Sequence, residues 1–215
     1  DVRLAGGLLE VTSATARILG GRVELAGHLD GREPCPTLEW KVEIRDVDLA
    51  ALRQSNLLDL PVGGQVAAAN AAMGSCGRAL SQHLDSLAAT TTLNGIRLTS
   101  DGGPPIDISR LEAGIEPGKP TRATAQVIVA GERVDTTLLA GSLQALLAGD
   151  TWPVELDAQG AGGRLRVDGR AGLLAEGFFA ELNSEYSVPA VGSLHPWIDV
   201  APEARLPLIA RSTLR

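Results

Sequence analysis

The sequence predicts a mainly β protein: a long, curled antiparallel sheet that forms an apolar groove or half-barrel, with a few short helices. Apolar and polar residues alternate over most of the chain, glycines punctuate the alternating runs, and stretches with helical spacing are few and short. From Leu38 to Arg45 the alternation is complete, which places the apolar side chains on one face of a strand and the charges on the other. The apolar side of such a sheet must be covered, either by protein or by an apolar ligand.

Strands joined by turns are predicted for most of the first hundred residues. Glycine and proline turn signals at Gly20–Gly21, Asp30–Gly31 and 102–105 separate the alternating runs. The predicted strands cover residues 3–11, 14–19, 23–29, 38–45, 60–73 and 89–100.

Three short helices are expected to interrupt the strands. An aspartate, Asp46 or Asp48, is predicted to cap a short helix within 46–52, and Ser75 to cap a second one. The third begins after Asp135 or Thr137 and ends at Gly149. The leucines at helical spacing are Leu80, Leu84 and Leu87 in the second helix, and Leu138, Leu139, Leu143, Leu146 and Leu147 in the third.

The second half repeats this organisation. The pattern divides the chain into a β-sheet region over 1–172, with possible sub-repeats about 1–100 and 101–172, and an extended, proline-containing segment over 173–215 that leads into a missing continuation. The glycines of 160–163 are expected to form a hairpin turn. The predicted strands cover residues 106–115, 122–130, 133–136, 154–159 and 164–170.

Composition excludes some classes of function. A net charge of −7 argues against nucleic acid as a partner, because phosphate binding needs clustered Lys and Arg. No stretch approaches the roughly 20 apolar residues that a membrane-spanning helix needs. Cys35 and Cys76 are either a disulfide or two free thiols, and the sequence does not decide between them.

Several segments resemble the bacterial AsmA-like family. The resemblance covers roughly residues 1–172 and depends on the order and spacing of glycine- and leucine-containing motifs. These are Val23–Gly27, Leu38–Val42, Asp46–Leu52, Gly74–Leu87, Leu93–Gly95, and Gly141–Gly149 followed by Trp152–Leu156.

The resemblance implies a large envelope protein of a Gram-negative bacterium, tethered to the inner membrane by a segment absent here. Its periplasmic part is expected to be a curled sheet whose apolar groove shelters or conducts phospholipid acyl chains and so supports outer-membrane biogenesis. Its partners are then phospholipid and components of the inner and outer membranes. The in-facing residues of the alternating strands are the predicted groove lining: Val23, Leu25, Leu38, Trp40, Val42, Ile44, Leu165 and Val167.

Two other classes of function remain open. In the first, the same residues form the core of a β-sandwich or a solenoid, and the protein is structural or adhesin-like and acts through protein contacts. In the second, His28, Asp30 and Ser13 form a hydrolase triad, but they lack the sequence context of a nucleophile. We therefore predict no enzyme activity, catalytic residue, metal or cofactor.

Overall fold

The computed structural model describes residues 1–49, 63–99, 106–129, 131–160, 162–174, 177–190 and 207–214. Within them, thirteen strands form one antiparallel sheet whose strand order is the order along the chain. Strands account for 74% of the described residues. The sheet does not close into a barrel, and the described residues include two short helices. The predicted fold class is confirmed. The described strands form neither a sandwich nor a solenoid, since they all belong to a single sheet.

The two helices lie in the connections between β5 and β6 and between β9 and β10. The end of the sheet that carries them, together with the β3–β4 and β7–β8 connections, is called the upper end below. The strands are β1 Val2–Ala5, β2 Leu8–Ile18, β3 Gly21–Asp30, β4 Thr37–Asp48, β5 Gly63–Cys76, β6 Ala88–Thr99, β7 Ile106–Ile115, β8 Thr121–Val129, β9 Glu132–Ala140, β10 Trp152–Gly160, β11 Gly163–Leu174, β12 Gly177–Val188 and β13 Leu208–Leu214, and the helices are α1 Leu80–Asp85 and α2 Leu143–Leu147.

The first hairpin is a correction to the sequence prediction. A single strand was expected over 3–11, but the chain turns at Gly6 and Gly7, and Leu4 in β1 pairs with Leu9 in β2. Both glycines have positive φ, 56° and 86°, which a two-residue hairpin turn requires and which glycine adopts without steric cost.

Two of the predicted helices are corrected. For the first one, Asp46 and Asp48 lie in β4 and Leu49 is helical, but residues 50–62 lie outside the described residues, so that helix stays a prediction. Ser75 lies in β5, and α1 begins five residues later, with Ala79 as its N-cap residue. Leu138 and Leu139 belong to β9, so α2 is limited to Leu143–Leu147. Pairing of β9 with a strand on each side outweighs helical spacing over so short a run.

Each of the strands β4, β5, β6 and β7 has one residue without a pairing partner, and these four residues lie side by side in a row across the sheet. From β4 to β7 the register is the same before and after this row, whereas between β7 and β8 it shifts by one residue. The row reverses the alternation, so that Ile44 and Val47 pack into one cluster. The skipped residues are Asp46, Ala67, Gly95 and Ser109. The buried residues of the cluster are Val47, Val66, Ala69 and Ile96.

The sheet continues beyond residue 172. β12 pairs with β11 along its whole length, and β13 pairs with β12 from Leu208 to Leu214. The segment over 173–215, which was expected to be extended, contributes two strands to the same sheet.

A disulfide joins Cys35 to Cys76, which the sequence left undecided. Cys35 lies in the β3–β4 connection and Cys76 is the last residue of β5, and their Cα atoms are 5.7 Å apart. The bond fastens the β3–β4 connection to the end of β5, shortly before α1.

Candidate functional site

The two faces of the sheet differ in chemistry. Directly paired residues share a face, so the register transfers the alternation of β4 to its neighbours. We call the side that carries Trp40 and Val42 the apolar face, and the side that carries Lys41 and Glu43 the polar face.

Two rows of the apolar face connect the predicted lining residues across nine strands. The row of Val42 runs from Leu25 in β3 to Val167 in β11, and the row of Ile44 runs from Val23 to Leu165. Leu38 and Trp40 lie on the same face of β4. All eight residues are half-buried, which is the exposure expected of side chains that are shielded by neighbours on their own sheet but not covered by a second one.

The same rows contain residues that the sequence analysis did not select. Leu138 lies between Ala123 and Leu156 in the Val42 row, and was missed because it was assigned to a helix. Strict alternation within the predicted strands would have identified Leu93, Leu111 and Leu156. The centre of the two rows is lined by small side chains, namely Ala69, Ala71, Ala113, Ala123 and Ala125.

The indole of Trp40 lies on the apolar face, directly over Gly27 of β3. The two residues are cross-strand partners, and a Cβ atom at position 27 would lie 2.6 Å from Cε3 of Trp40. The absence of a side chain at Gly27 therefore gives the large ring a place flat against the sheet.

The apolar face becomes more polar toward β13. Ser184 continues the Val42 row, and its Oγ lies 2.7 Å from Oγ of Ser212. Tyr186 continues the Ile44 row, and burial raises the pKa of its phenol. In β12, hydroxyl groups thus take the place of aliphatic side chains in these two rows.

The polar face carries ion pairs. Some lie within one strand, such as Arg22 with Glu24, whereas others join successive strands, such as Arg97 in β6 with Asp107 in β7 at 2.6 Å. The hydrogen bonds from Arg97 lower the pKa of Asp107. Arg164 in β11 likewise lowers the pKa of Asp157 in β10. Exposed pairs of this kind contribute little to stability.

His28, Asp30 and Ser13, the residues considered for a hydrolase triad, do not form one in the structure. His28 lies between Glu10 and Glu39 in one cross-strand row of the polar face, within a shallow depression of about 610 Å³. Among the described residues, no hydrogen bond joins His28 to Ser13 or Asp30. The carboxylate of Asp30 instead accepts a hydrogen bond from Nε of Arg32 at 2.8 Å.

A second histidine does meet a serine. Nδ1 of His83 in α1 lies 2.9 Å from Oγ of Ser75. Ser75 is only 8% exposed and pairs with Leu38, so its side chain is on the apolar face underneath α1. This contact attaches α1 to the sheet.

The described residues contain no group of three or more His, Cys, Asp or Glu side chains placed to hold a metal ion. None of the helices in this part of the chain has the length and hydrophobicity needed to cross a membrane. No protein-family model, curated protein or solved structure matches the sequence.

Proposed function

We propose that this chain is part of a non-enzymatic envelope protein that shelters or conducts phospholipid acyl chains along the apolar face of its sheet. The observation that carries the proposal is the pair of mostly apolar rows that run from β3 to β11 without a second sheet packed on them in the described part of the chain.

An apolar face of this kind lowers the cost of removing a lipid from a membrane. Each methylene that leaves an apolar environment costs about 0.8 kcal/mol, so a sixteen-carbon tail faces a penalty of about 12 kcal/mol in water. Leucine and valine side chains along the rows replace most of the lost apolar contact, and the headgroup remains in water at the margin of the face.

The dimensions of the sheet also fit acyl chains. The two apolar rows take eight inter-strand steps from β3 to β11, which at about 4.8 Å per step gives a length of about 38 Å. This exceeds the roughly 30 Å thickness of a bilayer's hydrocarbon core. The apolar face is therefore long enough for tails to lie along the strand-stacking direction.

The disulfide supports an extracytoplasmic location. Disulfides form and persist in oxidising compartments, and the bacterial periplasm is one of them. Together with the resemblance to AsmA-like proteins, this favours the periplasm of a Gram-negative bacterium, with the two membranes as the source and destination of the lipid.

Two adjacent leucines of β9 provide a matched test. Leu138 lies on the apolar face, whereas Leu139 pairs with Arg122 and Glu155 on the polar face and is 37% exposed. Detergent-free protein is incubated with phosphatidylethanolamine and phosphatidylglycerol vesicles, re-isolated, and examined by native mass spectrometry.

We expect bound phospholipid in the original chain and in Leu139→Asp, and a loss of about tenfold or more in Leu138→Asp, because a carboxylate then faces the tails. Circular dichroism checks that both variants keep the sheet. Equal lipid binding by the two folded variants, or no phospholipid on the original chain, contradicts the proposal.

A further inference from the structure

One side chain joins three separate connections at the upper end of the sheet. Nε2 of Gln144 in α2 donates to the carbonyl oxygens of Leu84 and Asp85 in α1, at 3.4 and 3.1 Å. Oε1 of Gln144 accepts from the backbone N–H of Gly118 in the β7–β8 turn, at 3.4 Å. We call α1, this turn and α2 the upper cap.

The upper cap spans the top of four strands. α1 directly precedes β6 and α2 directly follows β9, three inter-strand steps or about 14 Å away. The contact between His83 and Ser75 places α1 on the apolar face, and Gln144 brings α2 against α1. The cap therefore lies across the upper end of the small-residue centre of the two apolar rows.

The two halves of the cap are fastened differently. Ser86 at the end of α1 bonds through its Oγ to the backbone N–H and C=O of Cys76, at 2.8 and 2.6 Å, beside the disulfide. In the connection that contains α2, Gly141 bonds to Thr121 and Pro153 at the end of the sheet. Among the described residues, the hydrogen bonds from the helix itself to other parts of the chain are those of Gln144. α2 is thus the half that is held less firmly.

The cap is also intrinsically weak. α1 has six residues and α2 five, and neither helix has a buried residue. Helices of this length do not persist without tertiary contacts, and segments with few buried contacts open most readily. The last carbonyls of α1 have lost their intrahelical partners, so the amide of Gln144 acts as a cap supplied from a distant part of the chain.

We propose that Gln144 is the latch of a gate: lipid tails pass the upper end of the apolar face between β6 and β9 when α2 separates from α1. The proposal rests on the proposed function, because it assigns the gate to the same lipid path.

Gln144→Glu tests the latch with a side chain of the same shape. The glutamate cannot donate to the Leu84 and Asp85 carbonyls, but it can still accept from Gly118. Gln126→Glu, on the polar face of β8, is the control that makes the same change in net charge. Both variants of the full 215-residue chain are compared with the original by hydrogen exchange and by uptake of fluorescent phosphatidylglycerol from vesicles.

We expect amide exchange over 79–87 and 142–150 to accelerate at least about fivefold in Gln144→Glu, because fivefold is the size expected for one lost hydrogen bond and this variant loses two. Lipid uptake should accelerate by a similar factor, and Gln126→Glu should change neither. Unchanged exchange in Gln144→Glu shows that the latch is wrong. Faster exchange with unchanged uptake shows a structural cap and overturns the gate. No uptake by the original chain overturns the proposed function itself, and the gate with it.

Discussion

At the scale of single residues, the apolar face depends on where side chains are absent as much as on where they are present. Gly27 is the clearest case, because the indole of Trp40 occupies the space that a side chain at position 27 would need. A Cβ there would also lie 2.3 Å from the carbonyl oxygen of Glu39. Both the ring and the backbone of β4 would have to shift to admit it.

Gly27→Ala is therefore expected to lower the free energy of unfolding by about 1–3 kcal/mol, the usual cost of overpacking. Urea titration followed by circular dichroism measures it. Gly74→Ala is the control, because the nearest atoms to a Cβ at that position are 3.9 Å away, an ordinary contact. It should leave stability unchanged or raise it slightly, since alanine restricts the unfolded chain. A similar loss in both variants would show that the packing of Trp40 over Gly27 is not the cause.

At the scale of secondary-structure elements, the connections of the upper end are stabilised by cross-links. The disulfide ties the β3–β4 connection to the end of β5, and Ser75 and Ser86 tie α1 to β5. These links compensate for the poor intrinsic stability of a six-residue helix.

Removal of the disulfide in Cys35→Ala/Cys76→Ala is expected to cost about 4 kcal/mol of stability, because the bond closes a loop with a sequence separation of 41. The free energy of unfolding is measured for this variant and for the original chain with and without a reductant. The reductant should destabilise the original chain to the level of the variant and leave the variant unaffected. A difference below about 1 kcal/mol would show that the bond adds little to the constraint already imposed by pairing of β4 with β5.

At the scale of the whole molecule, stability is expected to vary along the sheet. Each strand pairs only with its neighbours in the chain, and the buried cluster of Val47, Val66, Ala69 and Ile96 lies in β4, β5 and β6. All residues of β1 and β13 are exposed. In such a nearest-neighbour architecture, local contacts set the local opening free energy.

Hydrogen exchange should therefore be slowest in β4–β6 and fastest in β1 and β13, with protection falling toward both edges. The measurement is native-state exchange read by mass spectrometry of peptides. Equal protection in all thirteen strands would instead indicate a single cooperative unit.

Period-two alternation predicted the class of fold and the face of each selected residue. The reason is that strand geometry alone decides which side chains share a side, so Val23, Leu25, Trp40 and Val42 were assigned to a common face before any pairing was known. Leu165, more than 120 residues further along, joins the same face because every intervening strand is paired in order.

Other features depended on pairing that the sequence does not display. Leu138 has leucines at helical spacing after it, yet two neighbouring strands hold it in β9. Gln144 reaches α1 across about 60 residues of sequence, and nothing local marks it as a contact. β12 was missed although Ala180–Val188 alternates, because the prolines that follow it led the whole segment to be assigned only as extended. The disulfide depended on a distance that only the folded sheet sets.

The ion pairs of the polar face affect how strands can be added to such a sheet by duplication. In the described residues, each pair lies within one strand or turn, or joins two successive strands, as Arg211 does with Glu185. A two-strand unit built this way carries its own counter-charges, so duplication of that unit leaves the ion pairs of the other strands unchanged. Every added pair of strands would lengthen the apolar face by about 10 Å. The length of the apolar face can therefore change by duplication of two-strand units, without changes to the sequence of the other strands.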